Sequence, residues 1–261
     1  MLSEQIKSLE KEAQKVLEAQ KYEDASKLFL RAAQAYQELG QHQEAALSFS
    51  SAAGCSEFQA GKQSLFYYAA DYYEKAAKEA ELAADFEYAS MLYKHAGICY
   101  ERDLEYVGFS ECFYLSKECY RRSLLPRFWL WQRPPGLVKT PTKFDLFSQI
   151  KRIFAWFSLT VSAMVWGHGE RPHRTFIFGF CLMFCAALVY TQGQLMMDSV
   201  ITKPSFLESI YFSYITVTRI GYGDIVPIGF NKVVALCEEF IGIFLIPIFI
   251  TGLCRKYLRF W

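Results

Sequence analysis

Apolar residues recur at helical spacing along the first half of the chain and merge into long uninterrupted runs in the second half. Up to about Arg127 the sequence is charged and rich in alanine, whereas from Phe144 to Trp261 charged residues become sparse and Phe, Ile, Leu and Val crowd together. Amphipathic spacing indicates helices in water, and apolar runs of about 20 residues indicate helices in a lipid bilayer. The pattern predicts an all-α membrane protein with a water-soluble helical part at its amino-terminal end.

The water-soluble part contains an internal duplication. The sequence YEDASKLFLRAAQAY at 22–36 returns as FEYASMLYKHAGICY at 86–100, with Glu, Ala, Ser, Leu and Tyr in matching places. A duplicated helical segment is typical of repeat architectures, in which each unit packs on the next. We expect about five or six helices between residues 3 and 124.

Small and large residues between the two copies resemble those of a tetratricopeptide repeat. They are Ala33, Tyr36, Gly40, Ala45, Phe49 and Ala52. Because the spacing departs from a strict repeat of about 34 residues, the looser helical repeats of the soluble attachment proteins of membrane fusion are an equally close likeness. The resemblance implies a cytoplasmic domain over residues 1–127 with a concave surface for a protein or peptide partner. The alternative is a short solenoid that only supports assembly.

A proline-rich segment separates the two parts of the chain. Residues 128–144 hold three of the eight prolines, and paired prolines stop a helix, so we predict a linker there. Residues 145–166 follow with apolar positions at helical spacing and Lys151 and Arg152 elsewhere on the wheel, which predicts an amphipathic helix lying in the membrane interface. The alternative is a third span, which would place the repeat domain on the other side of the membrane.

Residues 167–261 are predicted to form a membrane domain with two spans, at about 174–194 and 231–254. The first contains an uncharged stretch, 175–192, which as a helix covers about 27 Å of a bilayer. Basic residues flank the outer ends of both spans: Arg171, Arg174, Arg255 and Lys256. The positive-inside rule therefore predicts an integral membrane protein with both termini in the cytoplasm.

A short apolar helix and a glycine-containing segment lie between the two spans. Residues 204–217 begin with a proline suited to the first turn and are too few to cross a bilayer. The following sequence, TVTRIGYGD from Thr216 to Asp224, is a poor helix and a poor strand because its two glycines loosen the backbone. Irregular backbone at membrane depth is tolerated only where protein or water covers its polar groups. We expect a re-entrant helix followed by a segment that lines an aqueous path.

The GYGD sequence after a re-entrant helix resembles the selectivity filter of potassium channels, within a pore similar to that of bacterial inward rectifiers and related two-span channels. The matching positions are Thr216, Thr218, Arg219, Ile220, Gly221, Tyr222, Gly223 and Asp224, with residues 218–224 as the filter. The resemblance covers about residues 145–257 and implies a homotetramer in a bacterial-type cell membrane. It also implies permeant potassium ions at the backbone carbonyls of Ile220, Gly221 and Tyr222, and no organic cofactor. Tyr222 is expected to brace the filter from behind.

Three residues of the second span carry further expectations. The resemblance implies that Glu238 lies near the base of the filter and that Gly242 is a gating hinge; close helix packing is the alternative for Gly242. Glu238 and Glu239 are either carboxylates anchored by hydrogen bonds behind the pore or charges that shape the field in the cavity. Intramembrane ionisable residues usually face a partner or water, which is compatible with both interpretations.

Arg219 breaks the family pattern, because the usual filter has a threonine at this position. Four-fold symmetry would bring four guanidinium groups close to one axis. Pairs about 8 Å apart repel by roughly 2 kcal/mol at an effective dielectric near 20, on the order of 10 kcal/mol for the ring. Glu239 or Glu238 is the expected counter-ion. Arg219 then either turns aside into a salt bridge, plugs the pore, or is an introduced substitution. We expect little potassium flux from the chain as it stands and more after Arg219→Thr.

Composition excludes several classes of function. A formal net charge of +1 argues against a nucleic-acid partner, and eight cysteines without CxxC spacing indicate free thiols. We recognise no nucleophile paired with a base, so an enzyme is not expected. His168 and His173, near the bend before the first span, are candidates for pH sensitivity. The leading hypothesis is a potassium channel regulated through its repeat domain, and the alternative is a membrane-anchored adaptor whose pore fold does not conduct.

Overall fold

The computed structural model describes residues 2–59, 66–124, 146–197 and 199–258. The chain divides into two compact units, residues 1–160 (the first unit) and residues 161–261 (the second unit). The predicted linker, 128–144, lies outside the described residues. The division between the units falls inside the helix Leu146–Trp166 that follows the linker.

The described residues of the first unit contain six helices before the linker, in agreement with the sequence. They are α1 (Leu2–Glu18), α2 (Tyr22–Glu38), α3 (His42–Gln59), α4 (Phe66–Leu82), α5 (Phe86–Arg102) and α6 (Tyr106–Ser123). Each helix packs chiefly on its neighbours in sequence. Fully buried alanines let the helices approach closely, and aromatic side chains such as Phe49 and Tyr93 fill the spaces between them. The result is a helical array of the kind expected for a repeat protein.

The duplication extends from the sequence to the side-chain contacts. Helices α2 and α5 are each 17 residues long, and their first residues lie 64 positions apart. The Tyr36 hydroxyl donates to Glu10 Oε2 at 3.0 Å, and the Tyr100 hydroxyl donates to Glu74 Oε2 at 3.1 Å, each reaching a residue 26 positions back. The matching tyrosines are therefore conserved between the copies because each ties its helix to an earlier one.

The two copies differ at the amino-terminal ends of these helices. Asp85 caps α5, because its Oδ1 accepts a hydrogen bond from the Tyr88 backbone N–H at 3.1 Å. The corresponding residue before α2 is Lys21, whose side chain makes no capping bond. Loss of a capping side chain typically destabilises by about 1 kcal/mol.

We expect Asp85→Ala to lower the unfolding temperature of the purified full chain, measured by circular dichroism, because an orphan backbone donor of α5 loses its acceptor. Lys21→Ala is the matched control and should leave the unfolding temperature unchanged. Equal effects from the two substitutions would contradict the capping role of Asp85.

The eight cysteines are free thiols, as their spacing predicts. The four in the first unit are buried. Burial raises the pKa of the Cys99 and Cys119 thiols to about 12. These thiols therefore stay protonated at neutral pH and serve as small apolar side chains in the core.

The second unit continues from α7 (Leu146–Trp166) into the membrane-type segments. After a single 3₁₀ turn, Gly167–Gly169, the helices are α8 (Pro172–Tyr190), α9 (Phe206–Val217) and α10 (Phe230–Tyr257). Their bounds lie within a few residues of the predicted interfacial helix, first span, re-entrant helix and second span. Among the helices that the structure describes, α8 and α10 are long and apolar enough to cross a membrane.

A small antiparallel sheet joins the two ends of the segment between α8 and α10. Its strands are β1 (Leu195–Met197), β2 (Val200–Thr202) and β3 (Ile225–Pro227), in the order β2-β1-β3. Met197 pairs with Ile225 and Leu195 with Pro227. The sheet was not predicted, since strands of three residues are too short to show alternation. The protein remains all-α in class, and the sheet fixes the point where the GYGD segment returns towards α10.

Candidate functional site

The helix α9 enters the space between α8 and α10 and stops. Ser205 and Glu208 form a capping box at its start: Ser205 Oγ accepts from the Glu208 N–H at 3.3 Å, and Glu208 Oε2 accepts from the Ser205 N–H at 2.6 Å. With 12 residues, α9 is about 18 Å long, well short of the roughly 30 Å apolar thickness of a bilayer. It has the length expected of a re-entrant helix.

The segment after α9 leaves the helical conformation through residues with positive φ. Gly221 and Gly223 have φ of 53° and 79°, a region that glycine adopts without steric penalty. A Cβ at either position would meet no atom within 4 Å, so backbone conformation and not space requires glycine here. Arg219 also has positive φ, 60°, which is uncommon for a residue with a side chain.

The side chain of Arg219 is held by Glu239. Arg219 Nη2 donates to Glu239 Oε1 at 3.0 Å, and the two side chains are 49% and 44% exposed within the chain. Of the two glutamates that the sequence offers as counter-ions, the structure therefore pairs Glu239 with the arginine. The first of the three outcomes left open by the sequence, a side chain turned into a salt bridge, is the observed geometry.

Glu238 lies on a different face of α10 from its neighbour. Its side chain is buried, Oε2 accepts a hydrogen bond from the Tyr190 hydroxyl at 2.7 Å, and Oε1 is hydrogen-bonded to Ser213 Oγ. The two glutamates have different partners because consecutive residues on a helix point about 100° apart, and the hydrogen bonds of Glu238 fit the interpretation of an anchored carboxylate. Sequence reasoning missed Tyr190 and Ser213, although a buried carboxylate in an apolar helix signals that polar partners are present.

Gly242 lies where α10 touches the end of α9. A Cβ added to this glycine would lie 2.3 Å from the carbonyl oxygen of Val217 and 3.1 Å from its carbonyl carbon. The close approach supports the packing interpretation of Gly242. Pro247, further along α10, was not singled out from the sequence. It has no N–H to donate to the carbonyl of Ile243, one turn earlier.

Hydroxyl groups tie the segment to α9 at both of its ends. Thr218 Oγ1 donates to the Tyr214 carbonyl at 2.6 Å, as Thr216 Oγ1 does to the Phe212 carbonyl at 2.7 Å. At the other end the Tyr211 hydroxyl donates to Asp224 Oδ2 at 2.8 Å.

The ring of Tyr222 is 70% exposed within the chain. The brace that the sequence predicts for this residue is therefore not supplied by the described residues of its own chain.

The bend between α7 and α8 contacts the far end of α10. Glu170, which is buried, lies 3.4 Å from Arg255 Nε. His168 is buried as well, and its Nδ1 lies 3.0 Å from Ser162 Oγ. Of the two histidines that are candidates for pH sensitivity, the bend therefore buries His168, whereas His173 is exposed.

The first unit offers a separate concave pocket of about 340 Å³. It is lined by Leu30, Gln34, Gln37, Phe49, Tyr72 and Lys75. Nearby on α4, the buried Glu79 accepts from Gln37 Nε2 at 2.7 Å and lies 2.8 Å from His42 Nδ1. The pocket combines apolar walls with amide and ammonium groups.

Comparison with known proteins bears on the second unit. Residues 175–259 match a family model described as an ion channel, a match that covers about a third of the chain from α8 to just past α10. No curated protein and no solved structure matches the chain. The family match and the two apolar helices indicate an integral membrane protein with a channel pore domain.

Proposed function

Since residues 175–259 match an ion-channel family, we propose that the chain is one subunit of a homotetrameric potassium-selective channel. Residues 218–224 form its filter, and the carbonyls of Ile220, Gly221 and Tyr222 bind the permeant ions. One observation carries the proposal: a helix too short to cross a bilayer ends in an irregular segment with glycines at positive φ, between two helices long enough to cross. Such a segment is stable at membrane depth only beside water or protein.

The surface of α10 supports assembly from several copies. In its first half the buried residues form a narrow stripe at helical spacing: Asn231, Ala235, Glu238 and Gly242. Large apolar side chains on its other faces, such as Leu236 and Phe240, are exposed in the single chain. Lipid can cover part of this surface, but the exposed backbone of the GYGD segment needs protein or water around it. A ring of copies around a water-filled axis supplies both protein and water to this segment.

The ion pair of Arg219 and Glu239 changes what the sequence alone predicts about conduction. A guanidinium bonded to a carboxylate adds no net charge at this level of the pore, so the repulsion among four arginines is offset within each subunit. The same bond directs the side chain towards α10. We therefore propose that the chain conducts potassium as it stands.

We further propose that the first unit is a tetratricopeptide-like domain that binds a protein or peptide partner in its concave pocket and regulates the pore. It lies in the cytoplasm of a bacterial-type cell, together with both termini, because basic residues flank the outer ends of α8 and α10. The alternative function is a membrane-anchored adaptor that binds the same kind of partner through this pocket and does not conduct.

Potassium flux tests the proposal. Vesicles that contain the purified protein should release potassium, when loaded with potassium, faster than matched vesicles loaded with sodium release sodium. Gly221→Ala is the matched control: a methyl group there has room but strains the backbone at φ 53°, so it should abolish selective flux and leave the assembled particle intact. A tetramer that shows no flux above empty vesicles would favour the adaptor, and a monomeric particle would contradict both the pore and its filter.

A further inference from the structure

Three polar groups from three helices meet inside the apolar core of the second unit. Glu238 of α10 is 2% exposed and hydrogen-bonded to the hydroxyls of Tyr190 in α8 and Ser213 in α9. Tyr190 and Ser213 are themselves fully buried, and the Tyr190 ring packs edge-on against Phe212, with ring centres 4.9 Å apart. We propose that Glu238 carries a proton in the folded protein and, as a neutral carboxylic acid, bridges the outer, re-entrant and inner helices.

The count of protons supports a neutral acid. Ser213 Oγ is within hydrogen-bonding distance of two acceptors, Glu238 Oε1 and the Met183 carbonyl oxygen, the latter at 3.0 Å. A hydroxyl has one proton and can donate to only one of them. If Glu238 carries a proton on Oε1, it donates to Ser213, Ser213 donates to Met183, and Tyr190 donates to Oε2. Every group in the chain of bonds then has a partner.

The absence of a cation among the bonded partners that the structure describes for Glu238 also favours the protonated acid. Its bonded neighbours on α8 and α9 are a phenol and an alcohol, and neither is a cation. The adjacent carboxylate on α10, Glu239, is directed to Arg219. An ionised carboxylate without a counter-ion is unfavourable in an apolar interior, whereas a protonated one behaves as an ordinary donor and acceptor.

The protonated acid acts as a positioning residue for the filter. Glu238 lies one helical turn before Gly242. At Gly242 the absence of a side chain lets the Val217 carbonyl group, at the end of α9, approach α10 closely. The two residues together fix α9 against α10 just before residues 218–224 begin. This inference rests on the proposed function only in assigning α10 to the membrane and residues 218–224 to the filter; the hydrogen-bond geometry is independent of conduction.

Infrared spectroscopy of the reconstituted protein tests the proton directly. A protonated carboxyl group has a C=O stretching band apart from those of ionised carboxylates, and we expect such a band at neutral pH. It should disappear in Glu238→Gln and persist in Glu239→Gln, the matched control one residue along. If the band is absent, or is unchanged by Glu238→Gln, the proposal is overturned.

Rescue by the amide separates a hydrogen-bonding role from simple filling of space. Gln at 238 can donate to Ser213 and accept from Tyr190, so Glu238→Gln should retain the wild-type unfolding temperature of the assembled particle. Glu238→Leu has similar volume without polar atoms and should lower it by several degrees. Equal unfolding temperatures for the two variants would contradict the bridge. Neither measurement needs ion flux, so failure here can be told apart from failure of the channel proposal.

Discussion

Gly242→Ala is expected to destabilise the second unit and reduce the yield of assembled particle, although alanine is the better helix former. The added methyl would lie 2.3 Å from the Val217 carbonyl oxygen. Backbone atoms cannot turn aside as a flexible side chain can, so α9 or α10 must move. Overpacking of this kind costs about 1–3 kcal/mol. The cost is expected to exceed the gain of about 1 kcal/mol from replacing glycine inside a helix.

Gly252→Ala is the matched control on the same helix. Its nearest contact would be Pro172 Cβ at 3.4 Å, ordinary van der Waals distance. We expect this variant to melt at or slightly above the wild-type temperature. The measurement is thermal unfolding of the detergent-solubilised particle, followed by size-exclusion chromatography. If Gly242→Ala folds and melts as the wild type does and alters only flux, Gly242 is a hinge and the packing interpretation is wrong.

Glu239→Gln is expected to lower potassium flux by at least about tenfold, for which only about 1.4 kcal/mol of added barrier is needed. The substitution leaves Arg219 without its carboxylate partner. In the proposed tetramer, four unpaired guanidinium groups near one axis would repel each other and the permeant cation, with energies on the order of 10 kcal/mol for the ring. Flux is measured from potassium-loaded vesicles after the particle size of each variant has been checked.

The complete set of variants separates the charge effect from other damage. Arg219→Thr alone should conduct at least as well as the wild type, since a carboxylate near the pore favours cations. Combining it with Glu239→Gln should restore the flux lost in Glu239→Gln, because the unpaired charge is gone. Additive effects of the two changes would show that the residues act independently. Wild-type flux from Glu239→Gln would mean that the ion pair does not matter for conduction.

The helices of the second unit are predictable because their limits are marked by simple signals. An uncharged apolar run gives most of α8, a long and largely apolar run gives α10, and a proline followed by Ser205 and Glu208 marks the start of α9. The small sheet is not predictable, since three-residue strands show no period. The roles of residues 218–224 remain predictions from resemblance, supported by the positive φ of the two glycines.

The partners of the two glutamates could not be read from the sequence. Glu238 and Glu239 are equivalent as letters in an apolar run, and only the rotation of α10 decides which meets Arg219. The partners of Glu238 lie 48 and 25 residues earlier in the chain. Gly242 was open to two interpretations because a hinge and a close contact both require the absence of a side chain. The burial of His168 could not be read from the sequence because the 3₁₀ turn that contains it is too short to predict.

Pro247 separates two parts of α10 that contact different elements of the second unit. The part before it contacts α9 at Gly242 and is hydrogen-bonded to α8 and α9 at Glu238, whereas the part after it contacts Pro172 of α8 at Gly252 and Glu170 of the bend through Arg255. Pro247 removes one backbone hydrogen bond from α10, which weakens the helix at that turn. A displacement of the bend would therefore rotate residues 248–257 about Pro247 and leave the part of α10 that contacts α9 in place.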